Sequence, residues 1–107
     1  MKRQLMKYSN PVQLESVSDK EWLLIGELIF TTVTQVYQQS LEYFQDSVSV
    51  PRSINLGRIT RVDSAGLALI IGWIRLGKKH DIKIHFQNIP AQMTPLAKLC
   101  GVDHLLI

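Results

Sequence analysis

The chain has 107 residues, 46% of them hydrophobic and 20% charged, with a formal net charge of +3. That length and apolar content suit one folded core and exclude a disordered chain. A single cysteine, Cys100, excludes an internal disulfide framework and a multi-cysteine zinc site, and fits a reducing compartment.

Residues 1–9 carry Lys2, Arg3 and Lys7 with no apolar core behind them. They read as a flexible tail rather than a secretory signal, which leaves residues 10–107 as a single domain. The uncharged runs 28–41 and 64–74 fall short of the ~20 apolar residues that a membrane span needs. Val12-Gln-Leu-Glu15 alternates apolar and polar residues, the period of a half-buried strand. Ser18-Asp-Lys20 marks a turn. Trp22-Leu-Leu-Ile25, followed by Gly26 and Glu27, is a second strand, and the two are expected to pair as a hairpin. From Thr32 the period lengthens. Val33, Val36, Tyr37, Leu41 and Phe44 make one apolar helix face, with Thr31 or Thr32 as its cap.

Residues 47–52 include Pro51 and read as a connection. Ser53-Ile-Asn-Leu-Gly-Arg-Ile59 is a third strand with Ile54, Leu56 and Arg58 on one side. Residues 63–66 are a loop or a helix start, and 67–76 a strongly apolar helix. Ile82, Ile84 and Phe86 alternate with Lys83, His85 and Gln87 in a fourth strand that Pro90 ends. Pro95 suits the first turn of a last helix and Gly101 its stop. Residues 102–107 are a final strand or a docked tail. Helices alternating with strands after a hairpin predict an α/β fold: a mixed sheet with right-handed crossovers and helices packed mainly on one face.

The strongest local feature is Arg61-Val-Asp-Ser-Ala-Gly-Leu67, where a strand ends and a helix begins. Asp63 suits the N-cap, since its carboxylate accepts backbone N–H bonds and complements the positive helix end. Ser64, Ala65 and Gly66 are small and leave backbone amides accessible. With Arg58, Arg61 and Ser64 at hand, this helix start is a candidate anion site, and plain capping is the competing reading. On a helical wheel Leu67, Ile70, Ile71 and Ile74 share one face, read as the sheet-facing core. Leu69, Trp73 and Leu76 fall on nearly the opposite side. A second apolar stripe with a tryptophan needs a neighbouring helix or a partner. The partner reading joins Asp63, Ser64, Ala65, Gly66, Leu69, Trp73 and Leu76 in one contact surface.

Other functions are excluded by what the residues lack. The cation clusters Arg52/Arg58/Arg61 and Lys78/Lys79/Lys83 are sparse and mix with nine carboxylates, so nucleic acid is not an expected partner. His80, His85 and His104 lack metal-ligand spacing. Ser64 and Asp63 with a distant histidine lack the glycine pattern of a nucleophile elbow, and no phosphate-binding lysine loop occurs. The chain is therefore expected to be no enzyme and to hold neither cofactor nor metal. Cys100 reads as a buried free thiol, and Trp22 and Phe86 as core.

Ile54-Asn-Leu-Gly-Arg-Ile-Thr-Arg-Val-Asp-Ser-Ala-Gly-Leu-Ala-Leu-Ile-Ile71 resembles the signature of STAS domains, the modules shared by sulfate transporters and anti-sigma factor antagonists. That signature is a strand, then Asp-Ser/Thr-x-Gly-Leu, then an apolar helix. The resemblance extends from Gly26-Glu-Leu28 to Ala97-Lys-Leu99. Within the family, the 61–69 motif, Lys78-Lys79 and Leu96-Ala-Lys-Leu99 are similar to the small cytosolic STAS subunits of phospholipid ABC transporters. The resemblance implies a STAS fold and a non-enzymatic subunit that binds and stabilises or regulates the transporter ATPase. Such a subunit is cytoplasmic, meets the inner membrane only through its partner, and serves outer-membrane lipid asymmetry. In those proteins a hydroxyl residue at the position of Ser64 lies at the ATPase contact. In anti-sigma factor antagonists switched by phosphorylation the motif is Asp-Ser-Ser-Gly, and its second serine takes the phosphate. Here that position is Ala65, which has no hydroxyl. The alternatives are an anti-sigma factor antagonist-like switch, and a module binding a nucleotide or lipid at residues 63–66.

Overall fold

The computed structural model describes residues 12–106. The expected tail, residues 1–9, lies outside the described residues, as does Ile107. Two strands open the described chain, β1 (Gln13–Ser18) and β2 (Glu21–Leu28), paired antiparallel with Leu14 opposite Leu24. Helix α1 (Val33–Ser40) and a 3-10 turn (Leu41–Phe44) lead to β3 (Ser53–Val62), which lies parallel to β2. Helix α2 (Ser64–Lys79) crosses to β4 (His85–Gln87), parallel to β3. Helix α3 (Met93–Leu99) and a second 3-10 turn (Asp103–Leu106) follow. The strand order is β1-β2-β3-β4, a mixed sheet, so the α/β architecture agrees with the element order expected from sequence. Among the described residues no helix is long and apolar enough to cross a membrane.

One face of the sheet carries the core. Trp22, Leu24 and Leu28 of β2 and Ile54, Leu56, Ile59 and Val62 of β3 are buried in one cluster with Val36, Phe44, Leu67, Ile70 and Trp73. At its centre the Trp22 ring meets Tyr43, Phe44 and Trp73 edge to face, with centroids 5.2, 5.8 and 5.4 Å away. Edge-on packing sets the positive rim of one ring against the negative face of another.

β3 departs from strict alternation. Leu23 and Ile25 of β2 pair with Asn55 and Arg58 of β3, and Gly26 and Glu27 pair with Ile59 and Arg61. In each step β3 advances by one extra residue, a β-bulge. The inward set therefore moves from Leu56 to Ile59 and then Val62, and Arg58 turns outward. This corrects the expected strand end at Ile59 and the placing of Arg58 beside Ile54 and Leu56, since a bulge breaks the period of two.

The expected apolar face of α1 is also rotated. Val36 and Ser40 are buried, while Tyr37 and Leu41 reach the surface. Ser40 lies inward because its hydroxyl accepts a hydrogen bond from Trp73 Nε1 at 2.9 Å and donates to the Tyr37 carbonyl. Thr32 stands at the N-cap position, but its side chain does not cap. Its hydroxyl donates to the Glu27 carbonyl at 2.6 Å and accepts the Ile29 N–H, tying the loop to β2.

At the C-terminal end, Gly101 (φ 73°) closes α3. Its N–H donates to Lys98 O and that of Val102 to Ala97 O, the paired bonds of a Schellman motif, in which the left-handed residue is best as glycine. Pro95 lies in the first turn as expected. Cys100 is exposed rather than buried, because it is the cap residue outside the packed stripe of Met93 and Ala97. The final segment is a 3-10 turn rather than a strand, with Leu106 against the core. β4 spans three residues, and Ile82 and Ile84 are buried ahead of it. Phe86 is half-buried against the core.

Candidate docking site

The first turn of α2 is built by Asp63. Its Oδ1 accepts the N–H groups of Ala65 at 2.9 Å and Gly66 at 3.2 Å, capping the helix as expected. Its Oδ2 accepts the Phe30 N–H at 3.0 Å, joining this cap to the loop between β2 and α1. The Asp63 N–H in turn donates to the Leu28 carbonyl. Gly66 is buried against that same carbonyl. A Cβ at this position would run into the Leu28 oxygen and stand 2.9 Å from Leu28 Cβ. Only glycine lets α2 start so close to the end of β2.

These contacts sort the expected site residues. Ser64 is exposed at the first position of α2, and Ala65 is half-buried beside it. Gly66 is a packing residue and has no surface to offer. The candidate anion site is not supported. The amides of Ala65 and Gly66 already donate to Asp63, whose negative charge repels a second anion. Arg61 extends into solvent and lies 3.8 Å from Glu27, and Arg58 is exposed on the bulged strand. An ion pair this exposed contributes little.

The far stripe of α2 also needs correction. Trp73 is fully buried, Leu69 is buried and Leu76 is half-buried. The stripe facing the sheet runs through Gly66, Ile70, Trp73 and Gly77, while Ile71 and Ile74 are only half-buried. Trp73 is enclosed from two sides, its ring edge to face with Trp22 of β2 and its indole N–H donating to Ser40 of α1. Sheet and neighbouring helix together cover Trp73, which leaves it no surface for a partner.

An open apolar surface does exist beside the motif, on residues that the helical wheel did not single out. A groove of about 580 Å³ runs between α1 and the first half of α2. Tyr37 and Leu41 form one wall, and Ala65, Ala68, Leu69 and Gly72 the other. Phe30, on the loop that Asp63 holds, is 78% exposed. Its exposure was not readable because it sits in a loop without periodicity. The adjacent uncharged surface of α2 at Ala65, Ala68 and Gly72 was the available signal.

The family described as "Mlab, STAS domain" matches residues 23–107. The intermembrane phospholipid transport system binding protein MlaB of Escherichia coli (strain K12) and that of Shigella flexneri are each 36% identical to this chain over 58 residues. The match covers 54% of this chain and 60% of each relative, so the chain spans about 60% of the length of the curated relatives it matches. Among solved structures, the anti-sigma factor antagonist SpoIIAA in its unphosphorylated form superposes with a TM-score of 0.64 at 19% identity, covering 90% of this chain and 85% of that one. The Bacillus cell fate determinant SpoIIAA in its phosphorylated form gives 0.65 at 23% identity, covering 90% and 88%. At such identities the likeness shows a shared fold.

Proposed function

This chain belongs to the STAS domain family, and from that membership we propose that it is a non-enzymatic subunit docking on the ATPase of an ABC phospholipid transporter. The observation that carries the reading is the open apolar face between α1 and α2. Tyr37 and Leu41, each 37% exposed, wall a groove whose other side is Ala65, Ala68, Leu69 and Gly72, and Phe30, on the loop that leads into α1, is 78% exposed. A large ring held outward by a hydrogen-bonded loop is an anchor for a partner's pocket, and contiguous apolar surface of this kind marks interaction sites. Ser64, exposed beside Ala65 at the start of α2, carries a hydroxyl at the position where the STAS resemblance puts the ATPase contact. The MlaB relatives are binding proteins of an intermembrane phospholipid transport system, which supports the choice of transporter. In this reading the subunit works on the cytoplasmic side of the inner membrane, reaches the membrane only through its partner, and helps to maintain outer-membrane lipid asymmetry. It regulates only if it binds two states of the ATPase unequally, and equal affinity aids assembly alone.

The test is affinity capture of the tagged full-length chain from detergent-solubilised native membranes, read by mass spectrometry. The wild type brings down an ABC ATPase. Phe30→Ala and Ala68→Glu, both at exposed positions, keep the fold and weaken capture by about tenfold or more. Wild type without an ABC ATPase, or undiminished capture by both variants, overturns the proposal.

The exposed Ser64 hydroxyl favours a second reading, a phosphorylation switch of the anti-sigma factor antagonist kind. Ala65 counts against it, since it stands where the resemblance puts the phosphoserine. Incubation with an anti-sigma factor kinase and ATP is expected to leave the intact mass unchanged. A phosphate on Ser64 would favour the switch.

A further inference from the structure

A second cavity, of about 470 Å³, opens beside the C-terminal half of α2, between that helix, the segment entering β4 and the 3-10 turn Asp103–Leu106. Its volume falls within the range of about 300–1,000 Å³ typical of small-molecule sites. The floor is apolar, made by Ile74, Ile82, Ile84 and Leu105. The rim is basic: Lys78, Lys83 and His104 border the cavity, against the single carboxylate of Asp81.

Helix capping accounts for part of this rim. Lys78 sits in the last turn of α2, where a cation complements the helix dipole. Asp81, at φ 58°, closes the helix, its N–H donating to Lys78 O. Neither role explains Lys83 and His104, which come from two other segments and converge on the same opening. Among the described residues neither Lys78 nor Lys83 forms an ion pair. Unpaired positive charge around an apolar floor is complementary to a molecule that is negative at one end and apolar along the rest.

The geometry points to a binding site for a monomeric lipid with one acyl chain and an anionic head. The chain lies on Ile74, Ile82 and Ile84, and the head sits between Lys78 and the pair Lys83 and His104. The recess favours a single molecule over a flat membrane surface, because a bilayer cannot enter it. The site does not rest on ATPase docking. Ile74 and Lys78 stand on the flank of α2 opposite Ala65, Ala68 and Gly72.

The experiment titrates the isotope-labelled full-length chain with laurate below its micelle concentration and follows backbone amides by NMR. Saturable shifts at Ile74, Lys78, Lys83 and Leu105 are expected. The exposed double variant Lys78→Glu/Lys83→Glu should keep the wild-type fold and bind laurate about tenfold or more weakly, while ATPase capture is unchanged. Inorganic phosphate and the neutral amphiphile dodecyl maltoside supply the head and the tail separately, and neither should reproduce the shifts. The inference is overturned if laurate gives no saturable shift, if phosphate or the maltoside does as well, if the double variant binds equally, or if only phosphatidylglycerol vesicles bind.

Discussion

The backbone N–H of Phe30 donates to Oδ2 of Asp63 at 3.0 Å, across 33 residues of chain, while Oδ1 of the same carboxylate caps α2. One side chain thus fixes both the first turn of the helix and the loop that presents the exposed ring. Asp63→Ala removes both, and is expected to cost about 1–2 kcal/mol in urea denaturation. Asp63→Asn keeps a carbonyl oxygen for the cap and offers an amide NH₂ where Phe30 needs an acceptor. It should lose less stability while the Phe30 amide exchanges faster with solvent. Equal losses in both variants, with Phe30 exchange unchanged, would contradict the double role.

Gly66→Ala puts a methyl against the Leu28 carbonyl, and backbone on both sides leaves nothing flexible to yield. The expected loss is about 3 kcal/mol, the upper part of the overpacking range. Thermal unfolding checks it. A change in melting temperature of only a degree or two would show that α2 can shift away from β2.

Trp73 and Ser40 give a coupled pair. Ser40→Ala strands the indole N–H in the core and should cost about 1–3 kcal/mol. Trp73→Phe removes the donor, so adding Ser40→Ala to it should cost much less than Ser40→Ala alone. Trp73→Ala should cost about 3–5 kcal/mol as a core truncation, whereas an exposed tryptophan would lose within about 0.5 kcal/mol. Urea denaturation of the single and double variants separates the two.

How far the fold and the site could be read from sequence depended on how local each determinant is. A cap depends on amides only two and three positions on, so the role of Asp63 was legible. The order of strands and helices was legible too, because hydrophobic period distinguishes them. The phase of α2 was not. The stripe nearest the sheet contains Gly66 and Gly77, which carry no apolar side chain yet mark the closest approach, so the wheel pointed towards Ile71 and Ile74. In α1 a buried serine hid the inward row in the same way. The bulges of β3 depend on pairing with β2, which no property of β3 alone encodes.

Ser64 is the position at which folding and the proposed docking can be tested apart. It is exposed and starts α2, so Ser64→Asp puts a negative charge at the positive helix end and should leave stability within about 0.5 kcal/mol of wild type. If the proposed docking holds, the same charge should weaken ATPase capture several-fold. Unfolding and capture, measured on the same sample, are expected to diverge. If they fall together, Ser64 acts through the fold.

The chain has two tryptophans, Trp22 and Trp73, and they stack edge to face within the same core. Their fluorescence, excited selectively over tyrosine, is consequently an internal gauge of packing with no tryptophan on either proposed binding surface. A partner or lipid that binds the native state as it stands should leave the emission maximum where it is. A spectral shift on mixing would report that α1 and α2 had moved against each other.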